Sequence, residues 1–151
     1  LSGGVSKGKF DLIPIVLKEL GVNELFHRIK QKPGKPFWFG ASDSNLVFAL
    51  PGNPVSTLVC CYRYLIPFLK FRLLNVSPKI EMMTIDGDYF KKGNLTHFLP
   101  VKRIGQMVSP ADGNGSGDFA LLANVDGWIE IPEELNEIKK GDTFRYLPFR
   151  F

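Results

Sequence analysis

Three short stretches of this 151-residue sequence carry residue types that could grip an oxyanion. Ser2-Gly3-Gly4-Val5-Ser6, with Asp11 soon after, offers a glycine turn whose backbone N–H groups approach a ligand closely. Lys32-Pro33-Gly34-Lys35-Pro36 places two ammonium groups on a turn that its prolines stiffen. Pro51-Gly52-Asn53-Pro54-Val55-Ser56 reads as a helix start, with Asn53 as N-cap and Pro54 at the first helical position, where a missing N–H costs nothing. Such a start presents N–H groups and a partial positive charge to an anion. Oxyanion chemistry needs fixed donors and charge more than a strong nucleophile, and Ser6 has no His–Asp relay to make it one. His27 and His97 lie far apart without matched cysteine or carboxylate partners, which disfavours zinc.

Elements must deliver these turns. Phe37 to Phe39 and Leu46 to Leu50 read as two buried strands, bringing the basic turn to one place and the Gly-Asn-Pro turn to another. From Pro54, Val55, Leu58, Val59, Tyr62, Leu65, Ile66, Leu69 and Leu73 recur at the spacing of one apolar helix face. Upstream, Asp11 to Leu20 predicts a helix with Pro14 in its first turn and Gly21 at its stop, and Leu25 to Ile29 a strand. This order suggests an α/β layer with sites at strand-to-helix turns.

Beyond Asn75-Val76-Ser77-Pro78 the pattern changes to short strand-like runs separated by Gly turns. Ile80 to Ile85, Thr96 to Ile104, Gln106 to Val108, Trp128 to Ile131 and Thr143 to Leu147 suggest a small β-barrel or sandwich. The expected division is therefore residues 1–76, the C-terminal part of an α/β domain, and 77–151, an all-β domain. A Gly-rich loop from Asp112 to Gly117 leads into one or two helical turns over Asp118 to Ala123. Trp38 and Trp128 read as core. The first residues look like the end of a strand entering a glycine turn, which predicts that the chain is a piece of a longer protein.

With 44% hydrophobic residues the chain can bury a core, and its formal charge of +4 is mild. Scattered basic residues fit small anionic substrates and disfavour nucleic acid. No apolar run approaches the ~18 residues of a membrane span, so the expectation is a soluble, cytoplasmic protein with no membrane partner. Cys60 and Cys61 are adjacent in the predicted helix and read as reduced thiols, not a disulfide.

The three motifs, in this order and spacing, resemble those of the molybdopterin molybdenumtransferase family, the molybdenum insertases that include bacterial MoeA and the gephyrin E domain. The similarity continues in Gly115-Ser116-Gly117, in Ala123-Asn124-Val125-Asp126-Gly127-Trp128-Ile129-Glu130-Ile131-Pro132 and in Lys140-Gly141-Asp142. It covers the C-terminal part of that family. It implies part of a three-layer α/β cofactor-binding domain followed by a small barrel-like domain.

The resemblance also implies insertion of molybdenum from molybdate into adenylylated molybdopterin, with release of AMP. It implies Mg²⁺ or another divalent ion, a homodimer with a cleft shared between subunits, and contact with the molybdopterin adenylyltransferase and with molybdoenzymes. By the same resemblance Asp11 is the acidic group for the divalent ion and adenylate cleavage, and Lys35, more than Lys32, binds oxyanion. Gly3, Gly4, Ser6, Pro36, Gly52, Asn53 and Ser116 fall among the substrate-binding residues, and Ser56 matches a molybdate-contacting serine. Read from the residues alone, Asp11 serves equally as a helix cap and the lysines as solvated turn residues.

One position departs from the family pattern. Thr96-His97-Phe98-Leu99-Pro100-Val101 has Pro100 where an arginine is expected. A proline within a strand implies an edge or bulge, and Lys102, of the same strand parity, is the better substitute cation than Arg103. A non-catalytic, gephyrin-like scaffold of the same fold is the alternative.

Overall fold

The computed structural model describes residues 1–6, 11–111 and 120–149. Its first part is three-layered. α1 (Ile13–Glu19) starts later than expected, because Leu12 and not Asp11 is the N-cap and no side chain caps it; Pro14 lies in its first turn. Asp11 is thus not the cap of this helix. The helix stops before Gly21, whose φ of 75° is a left-handed conformation that suits glycine. β1 (Asn23–His27) ends at His27, because Arg28 takes a φ of 70°.

A two-residue β2 (Gln31–Lys32) precedes an antiparallel hairpin of β3 (Trp38–Ala41) and β4 (Leu46–Ala49), with β1 on the free edge of β3. Ser2 bridges to Leu50 in parallel beside β4. One sheet face packs Trp38 and Ala49 against Val5 and Leu17. The other packs Phe37 and Leu50 against Cys60, with Phe39 and Phe48 beside them. Leu46, at the start of β4, remains exposed and departs from the expectation of a buried strand.

The hairpin overturns one expectation. Trp38 lies opposite Ala49, so the Lys32–Pro36 turn and the Pro51–Ser56 turn reach the same end of the sheet rather than separate places. The cause is the short reversal at Ser42–Asn45, closed by a Ser42 N–H bond of 2.9 Å to the Asn45 carbonyl.

The long helix is continuous but not uniform. α2 (Pro54–Cys60) passes through one π-helical turn, Cys61–Leu65, into α3 (Ile66–Leu74). Pro67 has no N–H to offer the Arg63 carbonyl and would crowd it in a regular helix; a wider turn just ahead removes the conflict. The expected single apolar stripe is therefore rotated part-way. Val55 and Val59 pack on the β-domain, Cys60 and Leu65 on the sheet, while Leu69 and Leu73 are exposed.

The second part contains β5 (Glu81–Ile85), β6 (Tyr89–Phe90), β7 (Thr96–Ile104), β8 (Met107–Pro110), β9 (Gly127–Ile131), β10 (Glu137–Ile138) and β11 (Thr143–Pro148). A short 3-10 helix, Ala120–Asn124, precedes β9. The order β7-β8-β5-β11-β9 closes on itself through β7–β9 pairing, which makes a five-stranded barrel. Leu99, Val101, Ile129, Ile131, Met83 and Phe144 fill its interior. β2 attaches in parallel to β7, and β6 pairs with β10.

Pro100 sits at a local edge of β7, as a proline within a strand implies: on one side it lies past the β2 pairing, which ends at His97, and before the β8 pairing, which starts at Val101. It pairs in register with Trp128 on the opposite side, and its carbonyl accepts from Ala111 N–H at 3.0 Å on the edge side. Proline has no N–H to return to the Ala111 carbonyl, so only one bond of that pair forms, just beyond the β8 pairing that starts at Val101.

The long helix lies on the outside of the barrel. Arg63 holds Glu130 bidentately, Nε to Oε2 at 2.9 Å and Nη2 to Oε1 at 3.2 Å. Tyr62 donates to the Phe149 carbonyl at 2.8 Å. No described helix is long and apolar enough to cross a membrane.

Candidate oxyanion site

The two glycine turns meet. Gly3 N–H donates to the Leu50 carbonyl at 3.0 Å, and Ser2 Oγ to the Pro51 carbonyl at 3.3 Å. A Cβ on Gly52 would stand 3.4 Å from Gly3 Cα, so the backbones are in contact. Gly4, at φ 69°, accepts at its carbonyl from Ile13 N–H, 3.3 Å away. A Cβ there would come 2.7 Å from the Ile13 side chain, which makes glycine obligatory. This docks the start of α1 on the turn and brings half-buried Asp11 to the same corner. Ser6 is exposed just past buried Val5, whose carbonyl lies 2.8 Å from His27 Nε2.

The helix start is more closed than the sequence suggests. Asn53 Oδ1 accepts from both Ser56 N–H at 3.1 Å and Ser56 Oγ at 3.2 Å, and Thr57 N–H bonds the Asn53 carbonyl at 2.9 Å. Ser56 is buried, and its hydroxyl proton already has an acceptor, so contact with an oxyanion requires that hydroxyl to turn. Gly52 and Asn53 are exposed beside it.

The basic turn lies against the same helix. Gly34 packs on Cys60, one turn beyond Ser56, and Lys35 projects into solvent beside half-buried Pro36. Lys32 leaves this group: it pairs with His97 on β7. His97 is pushed down to about 4 by burial first and then by the charges of Lys32 and Lys91. The structure therefore gathers Gly3, Gly4, Asp11, Gly52, Asn53 and Ser56 around one corner, with Lys35 on the adjoining turn, and sends Lys32 to the barrel. Ser116 lies outside the described residues.

Of the substitute cations, Arg103 is engaged. Its guanidinium bonds Glu81 at 3.0 Å and the Gly105 carbonyl at 3.0 Å, and it stacks near the Tyr146 ring. Lys102 is exposed on the face of Pro100.

Sequence reasoning read Cys60 as a reduced thiol, as it is, but missed Gln31 and Tyr64, which lie with it under the basic turn. A glutamine between two lysines gives no pattern that signals burial. A cleft of about 580 Å³ opens nearby between Ile29–Gln31 and the barrel, lined by Tyr64, Glu130, Glu133 and Arg145. It reaches Gln31 beneath the basic turn, but neither that turn nor either glycine turn lines it. Among the described residues no group of three or more His, Cys, Asp or Glu could hold a metal. A single carboxylate such as Asp11 is a number of protein ligands that Mg²⁺ accepts when phosphate oxygens and water complete its shell.

Residues 1–70 match the family described as a probable molybdopterin binding domain, and residues 84–149 match the MoeA C-terminal region, domain IV. A molybdopterin molybdenumtransferase from Synechocystis sp. is 40% identical over 152 residues, covering 96% of this chain and 36% of the relative. One from Staphylococcus aureus is 28% identical over 148 residues, covering 94% and 35%. The structure of a molybdopterin biosynthesis MoeA protein from Pyrococcus horikosii is similar at a TM-score of 0.78 and 32% identity, over 99% of this chain and 36% of that one. The chain thus spans about a third of the length of the curated relatives it matches.

Proposed function

We propose, for a chain that belongs to the molybdopterin molybdenumtransferase family, that it is the C-terminal part of an enzyme of molybdenum cofactor biosynthesis. That enzyme inserts molybdenum from molybdate into adenylylated molybdopterin and releases AMP. The observation that carries the reading is the contact of the Gly3–Gly4 turn with Gly52, beside Asn53 and Ser56 and next to Asp11. Small backbone at one corner, half-buried at Gly3 and Gly4 and exposed at Gly52, lets a phosphate or pterin approach closely, and Lys35 adds an exposed cation to the same end of the sheet.

In this reading Asp11 would hold Mg²⁺, which would supply neutralising charge at the adenylate phosphate. The chain's own residues orient the ligands: Gly3, Gly4, Ser6 and Gly52 on the pterin phosphate side, Lys35, Pro36 and Ser56 on the molybdate side. Ser116 completes the proposed set, and Lys32, paired with His97 on the barrel, stands outside it. A cytoplasmic homodimer that shares its cleft, handed its substrate by an adenylyltransferase and passing product to molybdoenzymes, follows from the same reading.

Pro100 favours a second reading, a non-catalytic scaffold of the same fold, because proline offers no donor where a guanidinium is expected. Exposed Lys102 on the same strand face is the substitute under the enzyme reading. Full-length protein is expected to restore molybdoenzyme activity in an insertase-deficient cell, with Lys102→Ala weaker at limiting molybdate and Arg103→Ala less affected. Protein that folds and binds pterin but never restores activity, even with excess molybdate, supports the scaffold.

A further inference from the structure

We infer that Gln31 is a positioning residue for Lys35 and that Tyr64 holds it in that role; this rests on the oxyanion reading of Lys35 above. Gln31 is buried, with 3% of its surface exposed, and each end of its amide is used. Its Oε1 accepts from the Tyr64 hydroxyl. Its Nε2 donates to the Pro33 carbonyl at 2.9 Å and to Cys60 Sγ at 3.6 Å. Burial pushes the Cys60 thiol up to about 12, so it keeps its proton and donates to the Gly34 carbonyl at 3.8 Å.

The two carbonyls that precede Lys35 are thus gripped by side chains from beneath the turn. Gly34 lies directly on them. With φ at 99°, a Cβ there would come 2.5 Å from Gln31 Nε2 and 2.8 Å from Cys60 Sγ. On the other side, the Lys35 carbonyl accepts from Ile29 N–H at 3.0 Å, and Phe37 N–H bonds the Gly34 carbonyl at 3.3 Å. The backbone of Lys35 is fixed from both directions while its ammonium stays in water. A long flexible side chain places its charge reproducibly only if its Cα is anchored.

Tyr64 reaches Gln31 because it belongs to the π-helical turn, Cys61–Leu65. Within that turn Tyr62 reaches Phe149, Arg63 reaches Glu130 and Tyr64 reaches Gln31. The wider turn alters the angular offset between successive side chains, so the same residue that ties the helix to the barrel has a neighbour aimed at the basic turn.

The test uses full-length protein. Gln31→Leu removes all three hydrogen bonds of the amide at similar volume, and Tyr64→Phe removes only the hydroxyl. Half-saturation for molybdate is expected to rise about three- to tenfold in Gln31→Leu and less in Tyr64→Phe, with a smaller change in turnover at saturating molybdate. Combined with Lys35→Ala, either is expected to add nothing further. A Gln31→Leu protein that melts earlier yet responds to molybdate like the parent, or whose effect adds in full to that of Lys35→Ala, overturns the positioning role. Should Gln31→Leu fail to fold, the same comparison is made with Tyr64→Phe. Unaltered half-saturation in Lys35→Ala alone marks failure of the oxyanion reading itself, and the inference falls with it.

Discussion

Trp38 faces Ala49 across the antiparallel hairpin of β3 and β4. That pairing sets Pro36 and Pro51, which flank the two strands, at one end of the sheet. Charge from one turn and backbone donors from the other therefore converge on a corner that neither turn could form alone. The predictions that follow concern this corner and the contacts that hold it against the barrel.

Lys35→Ala in the full-length protein removes a charge from the proposed oxyanion site. Half-saturation for molybdate is expected to rise about tenfold or more, the scale of a charge-assisted hydrogen bond. Ser56→Ala is expected to cost less, because the Ser56 hydroxyl already donates to Asn53. A molybdate titration unchanged in Lys35→Ala places oxyanion binding elsewhere.

Asp11→Asn is expected to keep pterin affinity while slowing AMP release, the pattern of a lost transition-state interaction. Leu12, not Asp11, is the N-cap of α1, so loss of a cap does not account for such an effect. Single-turnover rates equal to those of the parent remove Asp11 from the reaction.

Breaking the Arg63–Glu130 pair should loosen the helix from the barrel. Both side chains are mostly buried, at 24% and 20% exposure, so Arg63→Ala leaves a carboxylate short of partners, with Arg145 at 3.9 Å among the described residues. The expected cost is about 1–3 kcal/mol, seen as a lower Tm. Replacing both residues by Met and Leu is expected to cost less than Arg63→Ala alone. A double replacement that costs the sum of the singles refutes the paired role.

His97 makes stability depend on pH. Its folded pKa, pushed down to about 4, lies below the ordinary value of 6.5, so the unfolded chain binds more protons between those limits. The contribution is fully present above about pH 6.5 and is lost as pH falls towards about 4. The titratable groups around it are Lys32, Lys91 and the Tyr89 hydroxyl, 3.5 Å from Nδ1. Tm is expected to fall between pH 7 and pH 5, and to fall less in His97→Gln. Identical pH slopes in the two proteins assign the dependence to other groups.

What the sequence determined by itself is what depends on near neighbours in the chain. The cap at Asn53 was legible because donor and acceptor are three residues apart, and β7 because nine residues of strand pattern run unbroken from Thr96 to Ile104. The three motifs carried the family, since each is local. β2, β6 and β10 were invisible, two residues being too few to show a period.

Only the tertiary structure decided the rest. Barrel closure through β7–β9 pairing joins segments with no local signature of their meeting. The meeting of the basic and Gly-Asn-Pro turns depended on which way the hairpin folded. The parting of Lys32 from Lys35 depended on β2 being captured by β7. Burial of Gln31 under the basic turn depended on Tyr64 and Cys60 arriving from a helix, because a polar side chain is stable inside only when distant residues satisfy it, and a linear pattern of residue types does not encode that partnership.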